Sequence, residues 1–187
     1  MFIALPLPAT AVAELRSLVH LLKRVAPGVR WVRPEQLHVT LRFLGDVEDE
    51  ECQALVKSLQ SIIELSPFTF NLAGLGAFPD RKRPRVVWTG VDTGRDPVVT
   101  LAARVEHAVV AAGLPAEDRP FSPHLTLGRV REPGNFAALW RTAEEAPFTG
   151  QPVNAVDVRL IWSTLTPTGP VYRDVESFPL RGHQNQT

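Results

Sequence analysis

The sequence repeats the same order of predicted elements in its two halves, and this repeat limits the possible folds more than any other feature. In each half, apolar stretches with the two-residue period of a strand alternate with stretches that have the helical period of 3.6 residues. Both halves therefore read strand, helix, strand, helix, strand. His38 and His124, in the second strands, are 86 residues apart, and so are Phe68 and Asn154 in the third strands. This equal spacing indicates an internal duplication.

The strands and helices of the repeat are read directly from the apolar pattern. The predicted strands are FIALPL, LHVTLRFL and FTFNLAGL in the first half, and RVVWTGV, HLTLGRV and VNAVDVRLIWSTL in the second. The predicted helices are 9–26, 46–63, 97–113 and 135–145. The acidic run VEDEE is typical of the first turn of a helix. A closing hairpin follows, with TPTGP as its turn and VYRDVESFPL as its last strand.

Two interpretations of the repeat compete. In the first, the halves match only because strand and helix units resemble one another by default. In the second, which we favour, two related lobes face each other across a cleft. We expect an α+β fold, bilobal and pseudo-symmetric, with two mostly antiparallel sheets backed by helices around a central cleft. The single domain would span 1–187, with pseudo-repeats of about 1–79 and 80–180 and a flexible tail at 181–187.

The charge balance excludes a broad positive field over the molecule. Lys plus Arg and Asp plus Glu number 20 each, so any polyanionic partner must be held by local contacts. The single cysteine, Cys52, excludes an internal disulfide and fits a reducing compartment. No apolar run reaches the roughly 18 residues of a membrane span, and Pro6 and Pro8 interrupt an apolar start that lacks a basic segment. We expect a cytoplasmic monomer that does not enter a membrane.

Each half places a histidine and a threonine on the same side of a strand. In HVTL, His38 and Thr40 share one face because side chains two apart in a strand point the same way. HLTL does the same with His124 and Thr126. One such tetrapeptide is a weak signal, whereas two copies at equivalent positions of a repeat are a strong one. The alternative is structural, with two hydrogen-bonded histidines on a polar sheet face.

Two imidazoles and two hydroxyls in facing pairs suit displacement at phosphorus. Imidazole gives or takes a proton near neutral pH. The attacking and leaving oxygens are roughly in line, so the base and the acid must stand on opposite sides, which two lobes can supply. The hydroxyls can donate to the remaining oxygens. General acid and general base catalysis each accelerate a reaction by about 10² to 10⁴, so the two groups together lower the activation barrier by roughly 5 to 11 kcal/mol. This reduction matches the hydrolysis of a strained five-membered cyclic phosphate better than that of an unstrained diester.

No metal and no cofactor are expected. The other histidines, His20, His107 and His183, have no carboxylate or cysteine partner at the spacing of metal ligands. The sequence contains neither a phosphate-binding glycine loop nor a G-x-S-x-G turn.

The tetrapeptides HVTL and HLTL resemble the two H-x-T-x motifs of the 2H phosphoesterase superfamily. Four longer stretches resemble its RNA 2′,3′-cyclic phosphodiesterase branch, also called 2′-5′ RNA ligase: RWVRPEQLHVTLRFLG, GAFPDRKRPRVVWTGV, PFSPHLTLGRVR and LTPTGPVYRDVESFPL. The resemblance runs over nearly the whole chain. It implies metal-independent opening of a terminal 2′,3′-cyclic phosphate on RNA to a 2′-phosphate, with reversible 2′-5′ ligation of tRNA halves as a side activity. It further implies that His38 protonates the leaving 3′ oxygen, that His124 activates water, and that Thr40 and Thr126 hold the phosphate.

Three more residues are candidate substrate contacts. Arg129 is close to the second motif, but strict alternation turns it away from His124 unless the strand bulges at Gly128. Phe78 can stack on a base, as aromatic residues do with single-stranded RNA, or can be a core residue at the edge of a loop. Arg42 is two residues beyond Thr40, so strand alternation places it on the same face as His38 and Thr40. There it reaches the rim of the cleft, unless it is only a solvated surface residue.

The basic run RKRPR, residues 81–85, either follows an RNA backbone or is solvated surface. Two alternative functions stay open at this point. One is a phosphodiesterase for another small substrate, such as 2′-5′ oligoadenylate or ADP-ribose cyclic phosphate. The other is a non-catalytic protein that binds RNA ends, although both histidine and threonine pairs are intact.

Overall fold

The strands and helices are defined by a computed structural model that describes residues 1–132, 134–167 and 169–182. Its strands are β1 (Phe2–Pro6), β2 (Val29–Trp31), β3 (His38–Phe43), β4 (Phe68–Phe70), β5 (Leu72–Phe78), β6 (Val86–Val91), β7 (His124–Val130), β8 (Val153–Ala155), β9 (Asp157–Thr166) and β10 (Gly169–Pro179). Its α-helices are α1 (Ala9–Lys23), α2 (Asp49–Leu59), α3 (Arg95–Ala111) and α4 (Ala137–Glu145), and 3-10 turns span Pro34–Gln36 and Gln60–Glu64.

Within the described ranges, the strands form two four-stranded sheets and one two-stranded sheet. The first large sheet has the order β10-β9-β1-β3, the second has the order β2-β7-β6-β5, and β4 pairs with β8. All of these pairings are antiparallel. The predicted bilobal α+β fold with antiparallel sheets is confirmed. Each large sheet takes two strands from each half of the chain, so the lobes are not the two halves of the sequence.

The equivalent strands β4 and β8 pair with each other where the two halves meet. Thr69 lies opposite Asn154, and its hydroxyl donates a hydrogen bond to the Asn154 side-chain oxygen at 2.9 Å. An antiparallel pair of equivalent strands is the arrangement that a two-fold axis generates. The pairing therefore agrees with the duplication that the 86-residue spacing indicates, while the repeat boundary near residue 79 stays a prediction.

His38 and Thr40 lie on the face of the first large sheet that is turned away from the main core. On β1, Ile3 and Leu5 belong to the large apolar core that also contains the buried residues of the four helices. Phe2 and Ala4, which alternate with them, form a small second cluster with Ile161. A strand that is apolar on both faces, as β1 is, can support a core on one side and a binding surface on the other.

Some elements differ from the sequence prediction. The sequence does not predict β2, because three residues are too few to show alternation. The predicted strand 68–75 divides into β4 and β5, which belong to different sheets. The acidic run begins a helix as predicted: the Glu48 and Glu51 side chains each accept a backbone N–H of the other residue in a capping box at the start of α2.

Among the described residues, no helix combines the length and the apolar character that crossing a lipid bilayer requires. At the end of the described chain, the Gly182 N–H donates a hydrogen bond to the Leu65 carbonyl oxygen at 3.0 Å. The remainder of the predicted tail, 183–187, lies outside the described residues.

Candidate active site

The two histidine strands, β3 and β7, lie against each other although they belong to different sheets. In both strands the histidine and the threonine are half-buried, and the residues that alternate with them are buried. His38, Thr40, His124 and Thr126 therefore have the burial pattern that alternation predicts. Within the described part of the chain, neither threonine hydroxyl is hydrogen-bonded to protein, so both are available to a ligand.

The backbone orients each imidazole in the same way. The His38 Nδ1 lies 2.7 Å from the Gln36 carbonyl oxygen, and the His124 Nδ1 lies 2.7 Å from the Ser122 carbonyl oxygen. A carbonyl oxygen only accepts hydrogen bonds, so the hydrogen-bond network assigns the proton of each neutral ring to Nδ1. Each ring is thereby left with Nε2 for proton exchange with a substrate.

Two aromatic rings hold His38. Phe2 of β1 stacks on the imidazole with ring centroids 4.6 Å apart and planes 20° apart. Tyr172 of β10 meets the imidazole edge-on, with centroids 5.6 Å apart. Because these rings come from two other strands of the same sheet, they fix the plane of the imidazole and remove much of its water.

Two aromatic rings also hold His124. Phe78 of β5 meets the imidazole edge-on at a centroid distance of 4.9 Å, and Trp88 of β6 lies 6.2 Å away. Gly76 makes room for this Trp88 ring, because a Cβ at Gly76 would lie 2.2 Å from two of the ring carbons. The structure thus places the predicted Phe78 against the ring of His124.

Phe2, Trp88 and Tyr172 are neighbours of the histidines that we did not predict from the sequence. The repeat contains a signal for two of them, since Phe2 and Trp88 are also 86 residues apart and both are aromatic. Tyr172 has no such signal, because it lies on the closing hairpin, which only one of the lobes has.

Both histidine strands bulge at equivalent positions. Opposite Ile3 and Ala4 of β1, strand β3 has one extra residue, Leu41. Opposite Val87 and Trp88 of β6, strand β7 has one extra residue, Leu127, again 86 residues further along the chain. A bulge re-aims the side chains that follow it. The bulge that Arg129 needs in order to face the site is therefore present, one residue before Gly128.

The charge of Arg129 acts on residues of both histidine groups. Its positive charge contributes to a lowered pKa at His124. Burial raises the pKa of Tyr172, and the same Arg129 charge partly offsets that rise. Since Tyr172 contacts the His38 ring, Arg129 is near both lobes of the site. This position suits a cation that meets an anionic substrate.

The side chain of Arg42 does not join the residues around the two histidines. Its guanidinium pairs with Glu106 of α3 at 2.6 Å and with Glu117 at 3.5 Å, and it donates to the Pro115 carbonyl oxygen at 2.6 Å. Strand parity alone predicts that this side chain reaches the cleft, but two carboxylates from distant parts of the chain compensate its charge. These contacts give Arg42 a structural role and do not support its prediction as a substrate contact.

Burial dominates the electrostatics of both histidines. Desolvation lowers the pKa of His38 to about 4, against the opposing effect of its hydrogen bond to Gln36. Burial also lowers the pKa of His124; the Ser122 carbonyl opposes that shift, and the Arg129 charge adds to it. In the ligand-free protein His38 is therefore neutral at pH 7 and accepts a proton only when a neighbouring negative charge compensates it.

The site is built from imidazole, hydroxyl and guanidinium groups. In the described part of the chain, no three His, Cys, Asp or Glu residues lie together as a possible metal-binding group. Of the basic run at 81–85, Arg81 is engaged with Glu144 at 3.1 Å, and its guanidinium lies 5.1 Å from the centre of the Trp140 ring.

Comparison with known proteins identifies the family. The model of the LigT like Phosphoesterase family matches residues 5–88 and 90–172. An RNA 2′,3′-cyclic phosphodiesterase from Aquifex aeolicus is 38% identical over 157 residues, which cover 82% of each chain. A crystal structure of a Thermus thermophilus protein is 32% identical, with a TM-score of 0.80 and 98% of each chain covered. The crystal structure of E. coli LigT with 3′-AMP is 25% identical, with a TM-score of 0.77 and 96% of each chain covered.

The family match falls in two consecutive segments of nearly equal length, each of which contains one H-x-T-x tetrapeptide. Both the fold and the paired motifs therefore agree with membership of this family. The chain belongs to the LigT-like phosphoesterases of the 2H superfamily.

Proposed function

We propose that the protein is a metal-independent RNA 2′,3′-cyclic phosphodiesterase that leaves a 2′-phosphate and a free 3′-hydroxyl. One observation carries the proposal: two imidazoles from strands of different sheets each turn Nδ1 to a backbone carbonyl, which leaves Nε2 of both rings for the substrate. The similarity to the RNA 2′,3′-cyclic phosphodiesterase of Aquifex aeolicus supports the substrate class.

The hydrolytic step uses one imidazole as base and the other as acid. Nε2 of His124 takes a proton from water, whose oxygen forms the new bond to phosphorus. The bond from phosphorus to the 3′ oxygen breaks, and protonated His38 supplies the proton that this oxygen needs. Thr40 and Thr126 donate hydrogen bonds to the two non-bridging oxygens. With a 5′-hydroxyl in place of water, the same step forms a 2′-5′ linkage and is reversible.

The substrate itself brings His38 to the protonation state that the reaction requires. Protonating a group with a pKa of about 4 at pH 7 costs about 4 kcal/mol, at about 1.4 kcal/mol per pKa unit. The attraction between two unit charges about 4 Å apart is also about 4 kcal/mol at an effective dielectric constant of about 20. A bound phosphodiester anion therefore offsets the desolvation of His38. The Arg129 charge disfavours a proton on His124, which supports His124 as the base.

Turnover of a nucleoside 2′,3′-cyclic monophosphate tests the roles of the histidines. We expect His38→Ala and His124→Ala each to reduce kcat by about 10² to 10⁴, because each removes one proton-transfer group. His107→Ala is the matched control, since His107 is an exposed histidine of α3, and it should keep the parent rate. Circular dichroism of all three variants checks that they fold.

Product analysis and a chelator complete this test. The expected product is the 2′-monophosphate, and EDTA should leave the rate unchanged. Near-normal rates in both active-site variants, a 3′-monophosphate product, or loss with EDTA and recovery with a divalent ion would each overturn the proposed function. Tight binding of the 2′-phosphate product by a parent protein without turnover would instead identify a binder of RNA ends.

A further inference from the structure

A basic cavity lies at the end of the second large sheet, outside the group of residues around the two histidines. It has a volume of about 410 Å³. Its lining includes four cationic side chains and one ring: Lys82, Arg83, Arg85, Arg131 and Phe136. The chain as a whole has no net charge, so this cavity concentrates positive charge that the rest of the molecule balances.

The four cations of the cavity are not neutralised by ion pairs. In the described residues, none of them has a carboxylate within 4.0 Å, whereas the neighbouring Arg81 is paired with Glu144. The carboxylate of Asp80 accepts the backbone N–H groups of Lys82 and Arg83 at 2.7 and 2.9 Å, which shapes the turn. Even with the charge of Asp80 counted, the cavity keeps a net positive charge that suits an anionic ligand.

The cavity lies next to the candidate active site along the second large sheet. Phe78, Val86 and Arg129 lie side by side across β5, β6 and β7. One residue beyond this row, the Arg85 N–H donates to the Phe78 carbonyl oxygen at 2.7 Å, and the Arg85 carbonyl accepts the N–H of Val130 at 2.9 Å. Since Phe78 touches the His124 ring, the basic cavity begins one step along the sheet from the residues that contact the histidine.

We propose that this cavity binds the backbone phosphates of the RNA nucleotides that precede the terminal cyclic phosphate. The inference rests on the proposed function, because a 2′,3′-cyclic phosphate ends an RNA chain and leaves the rest of that chain on one side only. Strand β7 is extended from His124 to Val130, so at about 3.3 Å per residue it places the backbone of Arg131 roughly 20 Å from that of His124. A mononucleotide that occupies the histidine site cannot span such a distance, whereas an oligonucleotide can. Arg side chains suit phosphate oxygens because their N–H groups form a fork.

The test compares two substrates and two double variants. The substrates are a nucleoside 2′,3′-cyclic monophosphate and a short single-stranded RNA with a 2′,3′-cyclic phosphate end. The test variant is Arg85→Gln with Arg131→Gln, both exposed residues of the cavity, and the matched control is Lys57→Gln with Arg104→Gln, exposed cations on α2 and α3. The measurement is kcat/KM between about 50 and 200 mM salt.

The expected result is selective for the longer substrate. Each phosphate contact on single-stranded nucleic acid contributes a log–log salt slope of about 0.7, so losing two contacts makes kcat/KM on the oligonucleotide about sevenfold less sensitive to this salt change. The mononucleotide rate and the control variant should match the parent. Equal effects on both substrates, or the same effect in the control, would overturn the inference while leaving the proposed function intact. A parent that turns over neither substrate would overturn the proposed function instead.

Discussion

The surroundings of His38 keep its imidazole uncharged in the absence of an anionic ligand. Its ring is stacked on Phe2, lies edge-on to Tyr172 and is tied at Nδ1 to the Gln36 carbonyl. These contacts orient the ring and also remove water from it, so its pKa falls to about 4. The same residue therefore links the stability of the fold to pH and the chemistry of the site to substrate charge.

The buried His38 should make the fold lose stability as the pH falls. The unfolded chain takes up a proton on this residue near its ordinary pKa of about 6.5, whereas the folded chain does so only near 4. Stability from this residue is thus complete above pH 6.5 and is lost as the pH falls toward 4. Between about pH 7 and 4.5 the loss amounts to about 2 kcal/mol.

Urea unfolding of the parent, His38→Gln and the exposed-site control His107→Gln at the two pH values measures this loss. We expect the free energy of unfolding of His38→Gln to fall less than that of the parent by about 2 kcal/mol, and the control to follow the parent. An identical decrease in the parent and in His38→Gln would contradict the assignment of a lowered pKa to His38.

The site is built on strands, and its geometry depends on the neighbouring strands of each sheet as well as on the residues of the strand itself. The histidine and threonine of each strand follow from alternation within one short stretch, so the sequence alone predicts them. The aromatic neighbours depend on sheet order, which places β1 beside β3 and β6 between β5 and β7. The bulges at Leu41 and Leu127 also depend on the partner strand. Arg42 shows the same limit, since its partner Glu106 is 64 residues away in sequence.

The packing of Trp88 over β5 requires a glycine at position 76. In Gly76→Ala the added Cβ would lie 2.2 Å from the Trp88 ring, so the ring must move and loosen its support of His124. We expect a loss of about 1 to 3 kcal/mol in the free energy of unfolding, together with a lower kcat on a cyclic mononucleotide.

Gly134→Ala is the matched control for this packing, because the atoms nearest to a Cβ at Gly134 would be 4.0 Å away. Thermal unfolding and turnover of the two variants should separate them, with the control close to the parent in both. Parent-like stability and turnover in Gly76→Ala would show that Trp88 does not support the histidine in this way.

At the scale of the whole molecule, the duplicated chain forms one inseparable unit. Each four-stranded sheet is completed by two strands from the other half of the sequence, and β4 and β8 join the halves directly. The repeat predicts two related lobes, but it does not predict this exchange, because strand order within a sheet is a tertiary property. Both halves must be present for either histidine to have its aromatic neighbours.

The proposed mechanism requires both imidazoles to meet one phosphate group. An NMR titration of the whole protein with a nucleoside 2′-monophosphate, followed through the ring signals of His38 and His124, tests it most directly. We expect both rings to respond with the same Kd and the bound phosphate to raise the pKa of His38 from about 4 toward neutrality. A response from only one ring, two different Kd values, or an unchanged His38 pKa would contradict it.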